Sequence, residues 1–133
     1  MFRLSIIFIF LFFFCNGQEK SFQEIDSALY RSYDDAHNTL SFEKAIGINQ
    51  KLVEKCKKLD YKKGVGEAYL NIANFSCYLT RYKESLKYLE LAEKNISQTQ
   101  DYYLRVLLYI EYGKVYAFLN LYEVSLDYYN KAV

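Results

Sequence analysis

Residues 82–92 read YKESLKYLELA, and residues 122–132 read YEVSLDYYNKA. The same residue kinds return at the same places: Tyr82 and Tyr122, Ser85 and Ser125, Leu86 and Leu126, Ala92 and Ala132. One period upstream, Phe42, Ala45, Ile46 and Leu52 keep the register. Four columns across three units at a spacing of 40 residues mark an internal repeat. A fixed period of this size signals a stacked array in which no unit buries its apolar face alone. Function in such an array lies in the surface the stack presents rather than in a catalytic pocket.

Apolar residues within each unit fall at three- and four-residue spacing, the period of helices, and the chain contains no proline to interrupt them. The expected fold is therefore all-α. A first helix is read from Ser21 to about Leu40, opened by the capping-box pattern Ser21-x-x-Glu24. A second runs from Phe42 to Leu59, with Ala45, Ile46, Ile48, Leu52 and Val53 on one stripe. Lys55, Lys57 and Lys58 occupy its last turns, where cations favour the helix dipole. Further helices are expected over Tyr61–Leu79, Tyr82–Ile96, from an Asp101 cap to Leu119, and from Tyr122 onward. Tight turns fall at Thr80-Arg81 and Asn120-Leu121, and Ser97–Gln100 reads as a polar loop.

Residues 1–17 form a separate object. Arg3 precedes a nearly unbroken apolar run, Leu4–Phe14, and Cys15-Asn16-Gly17 offers a small-residue cut before Gln18. This is the outline of a secretory signal peptide. Lipid attachment at Cys15 is the alternative, although Phe14 and Phe12 stand where lipoproteins place a small residue and a leucine. The expected localisation is therefore exported, periplasmic or extracellular, with no membrane insertion of the mature chain. Removing Arg3 with the leader leaves 16 basic and 16 acidic residues, a balance that gives no basic stripe for nucleic acid. Cys56 and Cys77 make no CxxC pair, and the single histidine, His37, has no partners at ligand spacing, so no metal or cofactor is expected. Both cysteines read as small apolar helix residues, with a Cys56–Cys77 disulfide as the alternative in an oxidising compartment. Gly64-x-Gly66 follows no strand, so it is not a nucleotide loop. With no nucleophile–base pair either, the chain is read as a non-enzyme.

The helix-contact residues carry a family resemblance. Tyr69-x-x-Ile72-Ala73-x-x-Ser76 is followed by Ser85-x-x-x-Leu89-x-x-Ala92. Tyr109-x-x-Tyr112-Gly113-x-x-Tyr116 is followed by Ser125-x-x-x-Tyr129-x-x-Ala132. This alternation of large and small residues resembles the tetratricopeptide (TPR) pattern, in which small side chains let paired helices approach. The resemblance implies a TPR-like α-solenoid of antiparallel helix pairs with about three repeats. Its divisions would be a degenerate pair at 18–60, a repeat at 61–97, and a repeat at 98–133 ending in its second helix. The period exceeds the family's usual value of about 34, which implies longer helices or a longer loop near 98–105. In the first unit Tyr33 is too large for the small-residue slot, so that pair is degenerate or packs in a shifted phase.

The resemblance further implies a concave groove lined by the first helix of each pair. Leu70, Asn74, Tyr78, Ile110, Lys114 and Phe118 are its candidate residues, with Glu67, Cys77, Leu107 and Ala117 beside them. Tyr69, Tyr109, Tyr112 and Tyr116 are expected in the core. Asn71 and Asn74 match two asparagines of the family's carboxylate clamp, but Leu70 and Leu107 stand where its lysines belong, so the clamp is rejected. The expected function is an exported, non-catalytic module binding a protein or peptide. The alternative is the sensory fragment of a longer bacterial signal-transduction protein, a histidine kinase or helix-turn-helix regulator, because the sixth helix reads as uncapped. Leu126, Tyr129 and Val133 would then be uncovered, and self-association through this helix is a further expectation.

Overall fold

The computed structural model describes residues 17–39 and 41–133, and residues 2–16 only through the backbone of the first helix. The expected leader, with Cys15, therefore lies outside the described residues apart from Gly17. Six helices follow in order: α1 (Phe2–Asn38), α2 (Phe42–Lys58), α3 (Lys62–Tyr78), α4 (Tyr82–Ile96), α5 (Tyr102–Phe118) and α6 (Tyr122–Ala132). Among the described residues the protein is all-α. None of the helices there is long and apolar enough to cross a membrane.

From α2 onward the helices begin at 20-residue intervals, Phe42, Lys62, Tyr82, Tyr102 and Tyr122. Three-residue turns make this possible. Asp60, Thr80 and Asn120 sit in the left-handed region with φ of 51°, 59° and 61°. Each turn closes alike: the amides of Tyr61, Arg81 and Leu121 reach back to the carbonyls of Cys56, Ser76 and Tyr116, each at 2.9 Å. This is the Schellman ending, which satisfies carbonyls a helix end leaves open. Asp and Asn tolerate the conformation, whereas β-branched Thr80 is the least suited to it. The fourth turn is longer, and there Asp101 Oδ1 accepts from the Leu104 amide at 2.9 Å, as its capping role anticipates. The 40-residue period is thus filled mostly by long helices, α3 and α5 having 17 residues each, rather than by the loop at 97–101.

Neighbouring helices run antiparallel. Asn49 meets Asn71 across α2 and α3, and Cys56 meets Gly64 farther along the same pair. Successive odd helices run parallel: Leu29 and Asn71 join α1 to α3, and Asn74 and Glu111 join α3 to α5. Odd helices touch one another directly, while α2 and α4 stand apart across a shallow groove floored by Tyr69. The odd helices thus form the tighter, inner layer. α3 lies at the centre, buried almost continuously from Gly64 to Cys77, which is why small and apolar residues occupy most of its faces, with Glu67, Asn71 and Asn74 as polar exceptions on one side.

The sequence repeat is a contact repeat. Ser85 Oγ donates to the Ala73 carbonyl and Ser125 Oγ to the Gly113 carbonyl, each at 2.7 Å. The first unit departs at the oversized Tyr33, while Leu29, Ser32 and Ala36 stay buried in the columns of Tyr69, Ile72 and Ser76. Ser32 is buried and accepts from Asn49 Nδ2 at 2.7 Å, while Tyr33 turns to the inner face, 40% exposed. Of the expected core tyrosines, Tyr69 and Tyr112 are buried, and Tyr109 and Tyr116 pack against the core half-buried.

Two local expectations need correction. Ser21 caps nothing: α1 runs through it, and its Oγ donates to the Gly17 carbonyl one turn back. On α2, Ile48 is 40% exposed and Asn49 takes the buried place. Asn49 Nδ2 donates to Ser32 Oγ and to the Ala45 carbonyl, and its Oδ1 accepts from Asn71 Nδ2 at 3.1 Å. A fully bonded amide outcompetes an isoleucine here because three helices converge on it.

Candidate functional site

The inner layer carries a cleft of about 260 Å³. α1 supplies Tyr30 and Tyr33, α3 supplies Glu67, Leu70, Asn71 and Asn74, and α5 supplies Tyr103, Leu107 and Glu111. The α3 residues recur at three- and four-residue intervals, so they form one stripe along the cleft floor. Tyr30 and Tyr103, each 69% exposed, stand on the flanking helices.

Of the candidate groove residues, Leu70 and Asn74 line this cleft, and both are buried. The other four do not. Tyr78 stacks on Phe42 at 5.2 Å, Phe118 stacks on Tyr82 at 5.8 Å, and Ile110 is half-buried outside the cleft. Lys114 lies beside it, 2.8 Å from Glu111 Oε1 and 5.5 Å from the Tyr78 ring centre. Tyr78 and Phe118 thus brace the ends of neighbouring helices. Sequence reasoning missed Tyr30, Tyr33, Tyr103 and Glu111. The 40-residue register does place Tyr30 in the column of Leu70 and Ile110, a signal masked by the loose match of the first unit to the repeat pattern.

The two ends of the cleft differ in charge. At one end Asn74 Nδ2 donates to Glu111 Oε1 at 3.0 Å, and Lys114 shares that oxygen. Burial acts against the Lys114 ammonium, yet Glu111 outweighs it and holds the pKa above its ordinary value. Asn74 Oδ1 and Glu111 Oε2 are buried with no partner. Asn74 is 1% exposed, so an empty acceptor there is costly unless something else supplies a donor. This geometry also speaks against the carboxylate clamp: Asn71 gives both donors, and Asn74 one, to protein oxygens.

At the other end Glu67 stands alone. Burial first, then the nearby Asp26 and Asp101 carboxylates, raise its pKa from an ordinary 4.5 to about 7, with Lys63 opposing them. Lys63 itself is spread between Asp26 and Asp101, at 3.8 and 3.7 Å. The folded protein thus holds a proton that the unfolded chain releases at lower pH. Stability is expected to fall as pH rises from about 4.5 to about 7, with the loss complete above that. Thermal melts across this window should show the decline, and Glu67→Gln should remove its share and melt higher than the native chain above neutrality. A variant with the native pH slope would contradict this account of Glu67.

Burial raises the Cys56 and Cys77 thiols to about 11. Both are free, so they serve as small packed side chains. Among the described residues no cluster of His, Cys, Asp and Glu could hold a metal. Among the described residues the fold and cleft define an all-helical protein with a mixed acidic and aromatic recess across three parallel helices. Compared with family models, curated proteins and solved structures, the chain gives no match.

Proposed function

We propose that this chain is a non-catalytic binding module of the TPR-like solenoid type, taking a peptide or an extended protein segment on its inner layer. The carrying observation is the cleft itself, assembled from α1, α3 and α5, with exposed tyrosines at its rim and polar side chains, Glu67 among them, along its floor. Aromatic rims around polar floors are how binding surfaces combine area with orientation. The repeated serine–carbonyl bond and the odd-on-odd packing support the solenoid reading. In this reading residues 1–17 direct export.

The test uses the rim. Glutamate at Leu70 would damage the core, since that side chain is 5% exposed. Tyr30→Ala with Tyr103→Ala alters only exposed rings. A displayed random-peptide library panned on the protein should yield binders whose affinity drops by roughly tenfold or more in the double variant. Circular dichroism should not change. Binders indifferent to both replacements, or no binders, would refute the groove.

The outer face of α6 adds a second contact surface. Leu126 is 60% exposed, and Tyr129, whose ring lies against Gly113 of α5, still exposes 38%; contiguous apolar exposure promotes association. The protein is expected to sediment with a concentration-dependent mass, and Leu126→Lys should suppress this. A single monomeric species at all concentrations would refute self-association through α6.

A further inference from the structure

The two ends of the cleft specify what kind of side chain fills it. The space of about 260 Å³ falls below the roughly 300–1,000 Å³ of sites that enclose whole small molecules. It suits one long side chain and its backbone. Glu67 and Asn74 lie seven residues apart on α3, which places the two acceptor ends roughly 10 Å apart along the helix.

The end at Asn74 is already neutralised. Lys114 balances Glu111 there, and what remains is a pair of acceptors, Asn74 Oδ1 and Glu111 Oε2, each lacking a donor. Both atoms are closed off from solvent, so this end offers an incoming cation no free charge and no reachable acceptor. The end at Glu67 is different. Asp26, Glu67 and Asp101 face a single ammonium, Lys63, which is held by the two aspartates. The helix contacts set Tyr30 of α1 and Tyr103 of α5 near this level: Asp26 and Asp101 both reach Lys63, one turn before Glu67. Tyrosine faces attract cations and repel anions.

We propose that the cleft recognises a lysine or arginine side chain of a peptide, its cationic head beside Glu67 between Tyr30 and Tyr103. The proposal rests on the peptide-binding reading above. A cation brought to Glu67 favours the carboxylate, so binding near neutral pH expels a proton. Acidification weakens binding, because a protonated Glu67 offers the head no charge; Asp26, Asp101 and Lys63 are the other charged groups facing it.

The test titrates the isotope-labelled full chain with the acetyl-methylamide derivatives of lysine, arginine and norleucine. Side-chain amide signals of Asn71 and Asn74 report the cleft. Both basic derivatives should move them and release a proton, and norleucine should not. Lysine and arginine derivatives compared side by side tell which head is preferred. Glu67→Gln, which removes a buried charge without changing shape, should weaken the basic ligands roughly tenfold or more and abolish the proton release. Equal shifts with norleucine, or full affinity in Glu67→Gln, would overturn the cation assignment, as would silence with both basic derivatives. Library peptides lacking basic residues that nevertheless move the cleft signals would leave the peptide groove standing and sink only its charge preference. Failure of every peptide to move them would sink both.

Discussion

Gly66→Leu is expected to lower the stability by about 3 kcal/mol, the upper end of overpacking effects, and the melting temperature by roughly 10–20 °C. A Cβ at this position would already stand 2.6 Å from Ile96 Cγ1. Ile96 is 1% exposed and cannot swing away, so α3 and α4 must part. The companion Gly64 is pressed in the same way by Tyr61 and by Cys56 Sγ. The two glycines that fail as a nucleotide loop thus let the start of α3 fit between α2 and α4. Gly47, also inside a helix, has nothing within 4 Å of a built Cβ. Gly47→Ala should therefore stabilise by about 0.5–1 kcal/mol, the ordinary gain in helix propensity. Chemical denaturation of both variants checks the pair; equal effects of the same sign would mean that α3 and α4 are not packed as described.

Asn49→Leu should cost about 3 kcal/mol although it keeps size and adds apolarity. Asn49 is 0% exposed and joins Ser32 of α1 to Asn71 of α3. Leucine would leave Ser32 without that donor and Asn71 without that acceptor, at about 1–3 kcal/mol for each orphaned buried group. Asn71 keeps only its 3.3 Å bond to the Leu29 carbonyl. Adding Ser32→Ala and Asn71→Leu should recover much of the loss, because replacing every partner by apolar groups removes the orphans. If Asn49→Leu melts like the native chain, the three-helix junction contributes nothing.

How far the sequence reaches is clear from these elements. Helix ends from α2 onward lie within a residue or two of their expected places, because turns and apolar spacing are local signals. The start of α1 was not legible: Ser-x-x-Glu is as compatible with a back-bonded serine inside a helix as with a cap. Ile48 and Asn49 exchanged roles because apolarity alone ranks isoleucine inward, and the partners that hold Asn49 come from other helices. The cleft was half legible. The α3 stripe follows from the repeat, whereas the Asn74–Glu111 bond joins residues 37 apart and depends on how one pair seats on the next. The α1 contribution, Tyr30 and Tyr33, lies in the unit that matches the repeat pattern least, so nothing local marked it.

The even spacing of helix starts has a consequence for rearrangement. One helix and one turn make a fixed step, and successive steps alternate between inner and outer layers. A segment of two steps, spliced in at Asn120 beyond the helices that line the cleft, would return the chain to the same layer with its turn chemistry intact. A segment of one step would exchange the layers for everything downstream. Lengthening by whole pairs is thus the insertion that this architecture tolerates, and each added pair would extend the inner face without disturbing the cleft already built.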